Sequence, residues 1–443
     1  MSSTTARRSA RLRSLGMLGL LAASLPVDLA LTAAAAGIGA VRRRPDHAPA
    51  TRPRTVLLSG GKMTKSLALA RAFHRAGHRV VLAETARYRW SGHRFSNCVD
   101  AFRIVPAADH PGYVAALAAI VDEEGVDVYV PVCSPLSSRF DAEAADALAD
   151  RCEVVHVGAD VVRTLDDKDA FAASAETLGL AVPETHRITD PEQVVDFDFD
   201  RRPGRRYLLK SIPYDPVHRL DLTTLPLATP EATAEHARSL PISESAPWVL
   251  QEFVSGDEYC THGTVRDGAL QVWACCESSP SQLNYEMVDR PDMEKWVRSY
   301  VEALGLTGQV SFDFIVDADG RAVAIECNPR THSAITMFAG HPELAAAYLE
   351  DGGDAIVPLP GSRPTYWWHM ELWRMVRDPR RAAERLRVVV RGREALLDPH
   401  DPLPFLLVPH LQITSLLVRA LVRGTPWVKI DINIGKLVEP AGD

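Results

Sequence analysis

The sequence predicts an α/β protein of more than one domain. Two patterns point there. Over residues 53–160, short apolar runs alternate with runs of helical spacing, as in a parallel, Rossmann-like sheet. Over residues 310–328, an apolar–polar alternation turns at Asp317-Ala318-Asp319-Gly320 and comes back, as in a β-hairpin. The chain of 443 residues, 46% of them hydrophobic, is long enough for two or three domains and a sizeable core. Its net charge of −8 argues against nucleic acid as the main partner. Seven cysteines, Cys98, Cys133, Cys152, Cys260, Cys275, Cys276 and Cys327, make an odd number without C-x-x-C spacing. Reduced thiols in the cytosol are expected.

Residues 1–52 form a hydrophobic N-terminal segment and linker. Arg7, Arg8, Arg11 and Arg13 lead in, Asp28 is the only charge over residues 15–41, and Arg42, Arg43 and Arg44 follow. The stretch is long enough to cross a bilayer. Pro26 and Asp28 interrupt it, and a charge at mid-membrane is costly. A single span, a bent insertion into one leaflet, and a signal peptide cut near residues 33–36 all fit. Basic residues at both ends give no orientation. An enzyme facing the cytoplasm, anchored to a membrane through residues 15–41, is the favoured expectation.

The first domain, residues 53–160, should hold strands at 55–58, 79–83, 126–132 and 153–157. Helices are expected near 63–73, 113–124 and 142–149. SGGKMTKS is not a P-loop, because the first glycine of that motif would fall at Val56. A glycine turn before a helix can still hold an anion, and a plain strand-to-helix turn fits equally. Ligands gather at the carboxyl ends of such strands. Lys62, the loop from Ser91 to Arg94 and the loop from Cys133 to Pro135 are therefore substrate-side candidates.

In the hairpin, Val310, Phe312, Phe314 and Val316 share one face of the first strand and leave Asp313 on the other. Val323, Ile325 and Cys327 share a face of the second and leave Glu326 and Asn328 opposite. Three oxygen ligands on one surface suit Mg²⁺ or Mn²⁺. A strand-end Asp313 and a solvated Glu326 are the plain alternatives.

The E-x-N-P-R run at Glu326 to Arg330, after a strand and with an acid on the preceding strand, resembles the metal-binding end of the ATP-grasp ligases. The resemblance extends in order through Lys168 before a helix, Lys210 at a strand end, and the hinge-like WVLQEFVSGDE from Trp248 to Glu258. It implies an ATP-grasp fold over residues 161–353, with residues 53–160 as the preceding Rossmann-like domain. It also implies that Lys168 and Lys210 contact ATP phosphates. Backbone near Glu252, Phe253 and Val254 would meet adenine, with Gln251 by its amino group and Glu258 at the ribose. Asp313, Glu326 and Asn328 would hold Mg²⁺, and Arg330 would stabilise developing charge. A core salt link for Arg330 stays open, as does a structural rather than proton-moving role for His332. One departure is the loop over residues 211–226, which has no glycine where most ATP-grasp proteins cover the phosphates with a glycine-rich loop. His218 or Arg219 could substitute there.

SGGKMTKSLALARAFH, LLKSIPYDPVHRLDL and IECNPRTHSAITMF are similar to one ATP-grasp branch, the ligases of mycosporine synthesis that join glycine to 4-deoxygadusol. That branch shares the glycine-free loop. The resemblance implies glycine, or another amino acid, and a cyclohexenone acceptor as substrates, and leaves room for a homodimer. An amino-acid ligase with a carboxylate acceptor is the nearest rival. A non-catalytic nucleotide-binding protein at a membrane is the rival of another class. Residues 354–443 are a mixed extension: aromatic at 366–373, basic at 374–393, apolar at 403–422. They are expected to pack on the core, with a peripheral membrane surface as the alternative.

Overall fold

The computed structural model describes residues 3–42, 49–132, 134, 137–213, 215, 217–218, 221–278 and 284–439. The expected linker at 45–54 lies partly outside them. The chain opens with a long helix, α1 (Ser3–Val41).

The first sheet is β1 (Thr55–Leu58), β2 (Arg79–Thr85), β3 (Ala101–Val105), β4 (Val128–Val130) and β5 (Glu153–Val154), parallel throughout, in the order β3-β2-β1-β4-β5. The helices α2 (Thr64–Arg75), α3 (Tyr113–Glu124) and α4 (Ser138–Leu148) connect it. β1 is buried on both faces, which explains its unbroken apolar run. β3 was not expected. It is a half-exposed edge strand in which Arg103 interrupts the apolar signal.

Two short helices, α5 (Ala159–Asp166) and α6 (Lys168–Thr177), lead into a second sheet. It contains β6 (Thr185–Ile188), β7 (Tyr207–Ser211), β8 (Thr224–Leu225) and β9 (Trp248–Glu252), in the order β6-β9-β7-β8. Its outer helices are α7 (Glu192–Val195) and α8 (Pro230–Ser239). The third sheet is antiparallel: β10 (Asp257–Arg266), β11 (Ala269–Glu277), β12 (Gly308–Val316) and β13 (Ala322–Asn328), in the order β11-β10-β12-β13. α9 (Pro291–Ala303) covers one face of it and buries Trp296 and Tyr300 against Phe171, Phe312 and Phe314. That aromatic cluster fixes the hairpin in place.

α10 (Leu344–Leu349) precedes the extension, which holds α11 (Trp368–Arg377), α12 (Ala382–Arg391), α13 (Leu403–Leu407) and α14 (Thr414–Arg423), with a π-helical turn at Val408–Ile413. Its strands form two small pairs, β14 (Thr365–Tyr366) with β15 (Arg393–Glu394), and β16 (Lys429–Asp431) with β17 (Lys436–Val438). The extension packs inward. Leu396, Phe405, Val408, Ile413 and Leu417 share one hydrophobic core with Leu67 and Phe73 of α2 and Leu82 of β2. Buried Arg71 on α2 ties the two, bonding Asp401 at 2.8 Å and the carbonyl of Leu396 at 2.7 Å.

Candidate active site

The site forms where the second and third sheets face each other. β12 and β13 pair so that Asp313 lies opposite Glu326, and Ser311 opposite Asn328. Phe312 and Phe314 point to the core, which turns Asp313 to the other surface. The second strand does not alternate as expected. The register slips between Asp313 and Phe314, so that Phe314 opposes Ala324 and Ile325 is the extra residue of a β-bulge. Ala324 and Cys327 reach the core with the phenylalanines, while Ile325 is half-buried. The carbonyl of Ile325 accepts Gln251 Nε2 at 3.3 Å, which joins the third sheet to the second.

One row crosses the whole third sheet: Cys276, Cys260, Asp313 and Glu326, each opposite the next. The two thiols touch at 3.4 Å between sulfurs.

Two lysines come to the acidic end of this row. Lys168 opens α6 behind an N-cap, Asp167, whose carboxylate accepts the amides of Asp169 and Ala170 at 3.0 and 3.2 Å. Its Nζ lies 3.8 Å from Glu326 Oε2. Lys210, near the end of β7, donates to Gln251 Oε1 at 3.1 Å. Burial lowers the pKa of Lys210, and the charge of Glu326 partly offsets it. Asn328 Nδ2 points at both acids, 3.2 Å from Asp313 and 3.4 Å from Glu326, and its Oδ1 accepts Arg330. Arg330 also sits 3.9 Å from Asp166.

The two acids have opposite tendencies. Burial, and then the charge of Glu326, raise the pKa of Asp313 well above the usual carboxylate range. Burial opposes ionisation of Glu326 too, but Lys168, the hydrogen bond from Asp313, Lys210 and Arg330 hold it to about 2. Burial and mutual repulsion thus disfavour two bare charges side by side. Two carboxylates beside an amide are a hard oxygen set, and a divalent cation there would relieve that repulsion. Asp313, Glu326 and Asn328 therefore fit Mg²⁺ or Mn²⁺ chemically. Asp166, two residues before Lys168 and not singled out by the sequence, belongs here as well. Burial raises it to about 6 against the pull of Arg330 and Lys168.

The hinge-like run begins in β9 and continues past it. The amides of Glu252 and Phe253 donate to the carbonyls of Glu184 and Arg206, at 2.8 and 2.7 Å. Among the described hydrogen bonds the amide of Val254 takes no protein acceptor. The Gln251 side chain is buried against Lys210. Phe253 is exposed. Glu258, at the exposed start of β10, accepts the Ser278 hydroxyl at 2.9 Å, and its charge acts on Lys210 and Asp313. His218 is bonded to Asp215 at 2.6 Å and lies against Trp248, which packs with Leu209 and Leu250. Arg219 lies outside the described residues.

The first-domain candidates are mostly structural. Ser91 Oγ and His93 Nδ1 both bond the Gly61 carbonyl, at 2.8 and 3.1 Å, and the Gly92 amide donates to Gln412 of the extension at 2.9 Å. Burial and Arg71 push His93 down to about 3, so it is neutral. The extension covers this loop, and a Cβ on Gly92 would lie 2.5 Å from the Val408 amide. Lys62 is paired with Glu84 at 3.6 Å and lies over the Tyr88 ring. Cys133 and Pro135 fall outside the described residues. His332 caps the turn after the hairpin, accepting the Ala334 amide at 3.2 Å, which favours its structural role.

The chain matches no family model and no curated protein. Solved structures do resemble it. One is N5-carboxyaminoimidazole ribonucleotide synthetase bound to ADP, at 15% identity and TM-score 0.54, covering 73% of this chain and 85% of that one. Another is the Staphylococcus aureus N5-carboxyaminoimidazole synthetase with ADP, at 14% identity and TM-score 0.53, covering 70% and 80%. A third is a Campylobacter jejuni biotin carboxylase complex with an ATP analogue, at 13% identity and TM-score 0.51, covering 68% and 72%. At such identities the likeness speaks to architecture, and with the two facing sheets and the parallel first sheet it establishes that the chain has the ATP-grasp fold.

Proposed function

We propose that the protein is an ATP- and Mg²⁺-dependent C–N ligase. It would phosphorylate the enol oxygen of 4-deoxygadusol and couple glycine to the ring, giving mycosporine-glycine. The observation that carries the ATP-dependent part is the meeting of Lys168 and Lys210 with Glu326 beside Asp313 and Asn328. The substrates rest on the sequence resemblance. In this reading Lys168 and Lys210 neutralise phosphoryl oxygens as point charges. Asp313, Glu326 and Asn328 would hold the metal, which when bound would neutralise negative charge on the γ-phosphate so that a nucleophile can approach. Arg330 faces the charge that develops on transfer. The acceptor is a vinylogous acid, so phosphorylating its enol oxygen makes that oxygen a leaving group. The glycine amine then adds at the ring carbon, phosphate departs with the C–O electrons, and the amine loses a proton.

The same reading has the enzyme face the cytoplasm, held to a membrane through residues 15–41. Purified protein incubated with ATP, Mg²⁺, glycine and 4-deoxygadusol should give a product with the mass and ultraviolet band of mycosporine-glycine. A product formed only from a carboxylate acceptor would move the assignment to an amino-acid ligase. No ATP turnover with any acceptor would end the enzymatic reading.

A further inference from the structure

α1 carries its polarity on the side opposite to a helix in water. It packs on the body of the protein through Ala10, Ser14, Leu21, Asp28, Thr32 and Ala35, all buried, in steps of three, four and seven. That inward stripe holds its hydrogen-bonding groups. Asp28 Oδ1 accepts Trp368 Nε1 at 3.1 Å, and Oδ2 accepts Nε2 of His369 and of His410 at 3.0 and 2.8 Å. Ser14 accepts Trp427 Nε1 at 3.0 Å, and Thr32 donates to the Asp28 carbonyl at 2.6 Å. The outward side is the reverse. Over residues 15–41 every exposed residue is Leu, Val, Ile, Ala, Gly or Pro. That is an apolar strip about 40 Å long at the usual helical rise.

α14 lies against α1 and widens the strip. Val418 and Val422 of α14, with Leu403 of α13, are exposed beside it. Exposed arginines frame the face: Arg8 and Arg11 at one end of α1, Arg42 at the other, Arg419 and Arg423 on α14. Guanidinium groups at the rim of an apolar face complement anionic headgroups. Protein interfaces carry about one hydrogen bond per 100–200 Å², and this face offers no side chain for one along 27 residues of helix, counted from 15 to 41.

We propose that this face seats on an anionic lipid bilayer, with α1 lying flat at the headgroup–acyl boundary beside α14, so that the chain does not cross the membrane. This rests on the reading that residues 15–41 meet a membrane, and it specifies how. A crossing helix would have to leave the body and carry Asp28 into hydrocarbon without Trp368, His369 and His410. The Asp28–His369–His410 cluster is the latch that keeps the polar stripe turned inward.

The full chain with vesicles of phosphatidylcholine and phosphatidylglycerol tests this. The six described native cysteines are buried, so in a Cys133→Ser background introduced ones can be labelled selectively. An environment-sensitive dye on Ala30→Cys and on Val418→Cys should shift to the blue on vesicles in both cases. Ser9→Cys and Thr51→Cys, beyond the two ends of the apolar strip, should both react with an impermeant maleimide added outside. Leu20→Asp with Leu31→Asp should weaken vesicle binding about tenfold or more and leave ATP turnover unchanged. If the Ala30 dye shifts but one end is protected, α1 crosses, and the flat seating fails while membrane attachment stands. If vesicles are not bound and Ala30 is hidden instead in a concentration-dependent dimer, both readings fail.

Discussion

Lys210 holds its charge where burial resists it. Its pKa is lowered, so the amine loses its proton at a lower pH than an ordinary lysine. The free enzyme should then bind ATP less well as pH rises through that lowered value, and kcat/KM for ATP should fall on an alkaline limb. Lys210→Arg keeps the charge and should flatten that limb, even if a misfitting guanidinium lowers kcat. An unchanged limb in the arginine variant would remove Lys210 from phosphate binding. Glu326 is the hub of the same cluster, paired with Lys168 and hydrogen-bonded to Asp313. Glu326→Ala should lower kcat by about 10²-fold or more, the scale of losing one preorganised electrostatic contact. Circular dichroism should show the fold retained. Wild-type turnover in that variant would sink the metal assignment. Asn328 adds a local test of its own. Its amide now points Nδ2 at the acids and Oδ1 at Arg330, so Mg²⁺ binding should turn it over and release Arg330.

At the scale of elements, alternation made β12 legible, because Val310, Phe312 and Phe314 sit on one face against α9. The same rule misread β13, because a bulge at Ile325 is set by pairing with a partner strand and leaves no mark on the alternation. The order of Lys168, Lys210 and Glu326 could be read from the chain, but their convergence could not. They lie on α6, β7 and β13, and only the packing of two sheets brings them together. Gln251 shows the limit most clearly. Its position in a hinge-like run suggests an adenine contact, but nothing in that run foretells that its amide spans Lys210 and Ile325. The aromatic cluster behind the hairpin should be costly to breach. Phe312 is fully buried among Phe171, Trp296 and Tyr300, so Phe312→Ala should cost about 3–5 kcal/mol by urea unfolding. A loss below about 1 kcal/mol would mean the site can collapse around the gap.

Across the whole molecule, the extension is part of the first core. Phe405, Val408, Ile413 and Leu417 bury the same cluster as Leu67, Phe73 and Leu82, and the Ser91–Arg94 loop lies beneath them. Sequence reading could expect packing there but could not name the partners, since Arg71 and Asp401 are 330 positions apart. That buried pair is the sharpest handle on the union. Removing one member of a buried, hydrogen-bonded pair leaves the other charge unpaired, at about 3–5 kcal/mol. Arg71→Met should therefore lower the thermal midpoint by several degrees and open the 391–401 stretch to protease, because Arg71 also holds the carbonyls of Leu396 and Asp401. Asp401→Asn keeps one acceptor oxygen for Arg71 Nε and loses the one that accepts the Asn97 amide, and it should cost less than Arg71→Met because Arg71 keeps the carbonyls of Leu396 and Asp401. Deleting residues 354–443 should go further and yield a chain that aggregates, with an apolar dye bound where the extension lay. A soluble truncated protein melting at the full-length temperature would show that the first sheet completes its core without the extension, and the shared-core account would fall.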